Sequence, residues 1–175
     1  CIGACIKFVH YRIKQDPFLG PEYKFTACNS EMLDLNVIAE KLYRGKVVGW
    51  YEGKIEFGAR ALGHRSILAN PTLPGMQDRI NKLIKKREMF RPFAPMVIQS
   101  AQSKYFESET FIPYMNQVVK VKEEYRDKLK AVTHVDGTAR IQTVYDRKSN
   151  IYKLLTRFEK LSGFPILLNT SFNIK

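Results

Sequence analysis

Apolar positions recur at a helical period over residues 2–13, where Ile2, Cys5, Ile6, Val9 and Ile13 share one face. Asp16-Pro17 closes that segment, and Gly20-Pro21 marks a connector behind it. A second helix is expected from a Ser30 cap, with Leu33, Val37, Ile38 and Leu42 inward and Gly45 as its stop. The period then changes. Residues 46–51 read as a strand, Glu52-Gly53-Lys54 as a turn, and residues 55–57 as a second short strand. A glycine-bearing loop over 58–66 leads into an apolar run, 66–69, which Asn70-Pro71 breaks. Met76, Ile80, Leu83 and Ile84 form the inward stripe of a helix over 75–86.

Three prolines, Pro92, Pro95 and Pro113, frame a mixed stretch with a strand expected at 96–99 and a loose polar segment at 100–110. Residues 118–122 alternate apolar and basic positions as a half-exposed strand does, and residues 131–135 read as another strand. A helix over 152–161 ends at Gly163, and residues 164–168 form a short buried strand. Strands and helices mixed in this way argue for the α/β (α+β) class in one domain of 175 residues.

Composition narrows the function classes. Hydrophobic residues make up 45% of the chain, enough for a core. No apolar run reaches the roughly 18–20 residues that span a bilayer, so no membrane partner is expected. The first residues are apolar but lack a basic leader and a cleavage site. Cys1, Cys5 and Cys28 have no CxxC spacing, which argues against a disulfide framework and a zinc site. The expectation is therefore a cytoplasmic protein with no metal site in this chain. A formal charge of +12 admits a nucleic-acid surface, an anionic small-molecule site or a solvated face. Many basic residues are bunched between Arg79 and Arg91, which favours a pocket over a stripe.

Four segments could carry chemistry. Extending the Ile80–Leu83–Ile84 stripe along the helix points Arg87 inward, where an unpaired charge is costly and a bound anion would answer it. Lys85 is near enough to share a phosphate. Asn169, Ser171 and Asn173 follow a core strand at period two, placed either for a ligand or as capping residues of a turn. Arg140 follows a possible strand and the Gly137-Thr138 turn, and is a better ligand candidate than His134 or Asp136. Gly58 and Gly63 have P-loop spacing, but His64-Arg65 stands where Lys-Ser or Lys-Thr is required, so a P-loop is rejected.

Four motifs then fall in a telling order: Glu56-Phe57-Gly58-Ala59-Arg60-Ala61-Leu62-Gly63-His64-Arg65-Ser66, Lys85-Lys86-Arg87-Glu88 with Phe90-Arg91-Pro92-Phe93, Val135-Asp136-Gly137-Thr138-Ala139-Arg140, and Leu168-Asn169-Thr170-Ser171-Phe172-Asn173. Together they resemble the C-terminal part of the NodU/CmcH carbamoyltransferases, over essentially the whole chain. The resemblance implies a YrdC-like twisted mixed sheet flanked by helices over 17–175, cut short at its C-terminal end. It implies that residues 1–16 are the last helix of a preceding kinase-like domain, which would hold the family's metal. The implied activity is ATP-dependent O-carbamoyl transfer, in which this part forms carbamoyl adenylate from carbamoyl phosphate and ATP, with Mg2+ arriving on the ATP. The implied site residues are Lys85, Arg87 and Arg140 for catalysis, joined by Ser171 and Asn173 for nucleotide binding. Position 59 is Ala where the family usually has Pro. The implied partners are small-molecule substrates and the N-terminal domain of the same chain, with nucleic acid not expected. Two rival readings remain: a non-catalytic RNA-binding module and an enzyme like the threonylcarbamoyl-adenylate synthases.

Overall fold

The computed structural model describes Phe18, Gly20 and residues 34–173. The helix expected over 2–13, the Ser30 cap and the assignment of residues 1–16 to a preceding domain lie outside the described residues. Helix α1 (Leu35–Tyr43) starts at Asp34, whose carboxylate accepts the Asn36 N–H at 2.8 Å. The cap therefore sits four residues later than Ser30. Leu42 and the partly buried Ile38 face the core as expected, joined by Leu35 and Ala39, while Val37 is exposed. Gly45 ends the helix as expected, at φ +82°, a conformation that costs glycine little.

Strand β1 (Val48–Tyr51) pairs antiparallel with β2 (Arg65–Ala69). Residues 55–57 form no strand, because the Glu56 side chain turns inward and gathers the backbone of the following loop. Helix α2 (Met76–Ile80) continues as a π-helical turn over Asn81–Lys85, where the Asn81 carbonyl accepts the N–H of Lys86 and that of Arg87. The wider turn rotates every later side chain. Leu83, expected inward, is 64% exposed, and Asn81 and Lys85 are buried instead.

Strand β3 (Ala94–Ile98) runs into a 3-10 turn (Gln99–Ala101) and helix α3 (Gln102–Tyr105). The segment expected to be loose is thus ordered, and Gln102 ties it by donating to the carbonyls of Ser108 and Thr110. Strand β4 (Val119–Lys120) pairs antiparallel with β5 (Thr138–Ala139), enclosing the short helix α4 (Glu123–Arg126). Residues 131–135 are not a strand. The chain there makes a 3-10 turn (Lys130–Val132), with the Val132 N–H bonded to the Leu129 carbonyl. A tight turn over 134–137 follows, with Val135 fully exposed at its tip. Strand β6 (Gln142–Val144), helix α5 (Asn150–Ser162) and strand β7 (Ile166–Ser171) complete the order. The Ser149 hydroxyl caps α5, and Gly163 ends it at φ +78°.

The main sheet runs β1-β2-β7-β3-β6, antiparallel except for the parallel β3–β6 pair. Both faces are covered. Trp50, Leu68, Met96 and Leu167 pack with α1 and α5, whereas Val97, Ile166 and Leu168 pack with Met76, Ile80, Phe106 and Leu129. Strand β7 lies third of five and buries both faces, so its exit delivers residues 169–171 from the core to the surface. The architecture is the mixed α/β sheet flanked by helices that the sequence implied. No helix among the described residues is long and apolar enough to cross a membrane.

Candidate active site

The π-helical turn delivers Lys85 to the end of β7. Its ammonium donates to the Ser171 carbonyl at 2.6 Å and the Asn173 carbonyl at 2.9 Å. It also reaches the Asn173 side-chain oxygen at 2.8 Å and the Ser171 hydroxyl at 3.1 Å. None of these partners carries a negative charge. Burial, reinforced by the neighbouring Arg87 charge, pulls the Lys85 amine down from 10.5 to about 8.

Arg87 stands beyond the helix rather than on its inward stripe, because the π turn has taken up that register. Its Nε donates to the Asn81 side-chain oxygen at 2.7 Å, and its guanidinium lies over the Phe93 ring, 4.7 Å from the centroid. Burial and the Arg91 charge lower its pKa, against a smaller opposing pull from Glu88. Asn81 is fully buried, and its amide nitrogen donates to the carbonyls of Met89 and Arg91. One side chain thus fixes both Arg87 and the chain over 86–92.

Arg140 enters from the other side, directly after β5. Its Nε is buried without a partner among the described residues, and burial, then the Arg60 charge, lowers its pKa. His134 lies beside it in the turn before β5. Burial lowers the pKa of that imidazole, with Asp136 opposing and Arg140 adding to the effect. The Thr138 hydroxyl is within 3.1 Å of His134 Nδ1 and donates to Asp136, whose pKa that bond lowers. The trio forms a locally hydrogen-bonded turn just ahead of Arg140.

The loop over 58–66 has its own internal anion. Glu56 is 4% exposed, and its Oε1 accepts the N–H groups of Leu62, His64 and Arg65 at 2.7, 2.9 and 3.1 Å. The backbone donors that a P-loop would offer to phosphate are thus engaged by the protein's own carboxylate. His64 stacks on Phe18 with ring centroids 3.8 Å apart. Arg60 projects from the loop into the same cleft as the residues above.

That cleft has a volume of about 820 Å³. Six cations line it, Arg60, Lys85, Lys86, Arg87, Arg91 and Arg140, against one acid, Glu88, which pairs with Arg91 at 3.7 Å. All five residues singled out in the sequence, Lys85, Arg87, Arg140, Ser171 and Asn173, stand at this one cleft. Glu56 and Asn81 carried no sequence assignment. The available signals were a lone acid between apolar residues and a polar residue directly behind Ile80. Two further features mark the cleft: Lys86 at φ +47° and Met115 at φ +52°, both lining it, hold backbone conformations that side chains disfavour.

An α/β domain with a mixed sheet and a cleft lined by six cations is the class that fold and geometry define. The chain belongs to the family described as "Carbamoyltransferase C-terminus", whose profile matches residues 39–175. The nodulation protein NolNO of Sinorhizobium fredii is 52% identical over 139 residues, covering 77% of this chain and 20% of that protein. Nodulation protein NolO of Bradyrhizobium diazoefficiens is 49% identical over 140 residues, 77% of this chain and 25% of the relative. Nodulation protein U of Azorhizobium caulinodans is 41% identical over 141 residues, 80% of this chain and 25% of the relative. The chain therefore spans a fifth to a quarter of these relatives. Among solved structures, full-length HypF in its phosphate- and nucleotide-bound form aligns with a TM-score of 0.55 at 18% identity. It covers 89% of this chain and 18% of HypF, and it bears out the fold that the sequence resemblance implied.

Proposed function

We propose that this chain is the nucleotide-handling domain of an ATP-dependent O-carbamoyltransferase and forms carbamoyl adenylate from carbamoyl phosphate and ATP. The observation that carries the reading is the convergence of Lys85, Arg87, Arg140, Ser171 and Asn173 on one cleft with six cations and a single, paired acid. Together the two substrates bring about six negative charges, and such a cleft offsets their repulsion. Balance requires water. Hydrolysis of carbamoyl phosphate releases phosphate and carbamate, and a carbamate oxygen then attacks the α-phosphorus of ATP. The bond to the β-phosphate breaks, and pyrophosphate leaves with the electron pair.

Lys85, Arg87 and Arg140 stabilise the charge that builds on the phosphoryl oxygens. Ser171 orients rather than attacks, since its hydroxyl donates its proton to the Asn173 side-chain oxygen. Among the described residues no three of His, Cys, Asp or Glu are grouped to hold a metal. Magnesium would arrive on the ATP. The acceptor hydroxyl and its metal belong to an N-terminal kinase-like domain, and the protein works in the cytoplasm.

In the complete protein, Lys85→Ala and Arg140→Ala are expected to abolish pyrophosphate release and AMP formation that depend on carbamoyl phosphate. Normal rates in both variants would overturn the assignment. Tight, steeply salt-dependent RNA binding without any thermal protection by ATP would instead support the RNA-binding reading.

A further inference from the structure

The cleft is rich in cationic donors, which suit phosphate oxygens, but a carbamoyl group differs from other acyl groups by its amino N–H. Recognising that group takes a fixed acceptor. Asn169 lines the cleft, is 1% exposed, and its Oδ1 is buried without a hydrogen-bond partner among the described residues. Its amide nitrogen is fully engaged, donating to the Ala61 carbonyl and to Gln142 Oε1, each at 2.9 Å. Gln142 in turn donates from Nε2 to the Leu62 carbonyl at 2.7 Å. Because Ala61 and Leu62 offer carbonyls, which can only accept, neither amide can turn over without setting oxygen against oxygen. The chain Leu62–Gln142–Asn169–Ala61 therefore locks Asn169 with its oxygen as the spare atom.

Two other side-chain acceptors of the cleft are engaged. Asn173 Oδ1 receives Lys85 and Ser171, and Glu88 is paired with Arg91. We infer that Asn169 is the specificity-determining residue for the acyl group, its Oδ1 accepting the N–H of the carbamoyl or carbamate amino group. This rests on the carbamoyl-adenylate reading above and adds to it the atom that tells an amino group from a methyl. Gln142 is then a positioning residue, acting through Asn169.

The test uses the complete protein, with pyrophosphate release as readout and acetyl phosphate, in which methyl replaces amino, as competitor. Asn169→Leu is expected to raise the KM for carbamoyl phosphate ~10- to 100-fold, the range set by one lost buried hydrogen bond. The inhibition constant of acetyl phosphate and the KM for ATP stay within about threefold, because neither uses the amino group. Gln142→Leu frees the Asn169 amide and gives a smaller shift in the same direction, which keeps the question answerable if Asn169→Leu does not fold. Equal losses for both acyl phosphates would assign Asn169 to scaffolding, and unchanged kinetics would leave the oxygen to a trapped water; either result overturns the inference alone. A wild-type protein that releases no pyrophosphate overturns the adenylation reading, and this inference with it.

Discussion

Lys85 and Asn173 meet at 2.8 Å, 88 positions apart in sequence, so that a helix and the exit of the central strand are joined by a charge with no countercharge among the described residues. Four oxygen acceptors surround the ammonium, and all are neutral.

Stability should record that missing countercharge. The Lys85 amine is lowered to about 8 in the folded chain from an ordinary 10.5. Between these values the unfolded chain binds a proton that the folded chain does not, so the folded state gains stability as pH rises from about 8 to 10.5. Below about pH 8 the penalty is fully present and constant. Urea unfolding of wild type and Lys85→Met at pH 7.5 and 9.5 reads this directly. The difference between them should shift towards wild type at the higher pH, and a pH-independent difference would refute it.

Arg87→Lys tests whether charge alone suffices. A lysine keeps the cation but lacks the planar Nε donor that reaches Asn81 and the flat face that covers Phe93. The KM for ATP should rise ~10-fold with kcat reduced less, as expected for a binding group that has lost its aim. Steady-state kinetics of pyrophosphate release decides it.

Glu56→Gln preserves shape but weakens three hydrogen bonds to backbone N–H groups by removing the charge that assists them. A loss of about 2 kcal/mol in unfolding free energy is expected. Proteolysis should also become faster within the loop over 58–64, since no other carboxylate among the described residues holds those donors.

Gly137→Ala should cost about 1–2 kcal/mol, because Gly137 adopts φ +76° and an added Cβ would lie 2.9 Å from the Arg126 guanidinium carbon. The measurement is the shift in urea midpoint. Restoration by trimming Arg126 as well would separate crowding from backbone strain.

Helix α5 could be read over most of its length from sequence, 152–161 of the observed Asn150–Ser162, because its glycine stop is a local signal. Strands β3 and β7 were legible for a similar reason, as apolar runs bounded by proline or polar residues. The strand expected at 131–135 failed because Val132 and Val135 favour strands, while the local bonds from Val132 and Thr133 back to Leu129 and Lys130 outweigh that preference. Glu56 was opaque for another reason: its partners are backbone groups of a loop that must fold before they exist as a site. The five site residues could be named because their motifs carry them. Their mutual geometry could not, since Lys85 and Ser171 come together only when the sheet closes.

The single extra residue in the α2 turn has a consequence beyond its own hydrogen bonds. In a straight helix each residue advances about 100°, so the insertion selects which of several adjacent cations is aimed at the end of β7. Composition is indifferent to that choice, as the stretch from Lys82 to Arg87 would be equally basic in either register. A deletion of Leu83 or Ile84 would conserve the charge and the pI, yet turn Lys85 away from Ser171 and Asn173 and leave an ordinary solvated helix face.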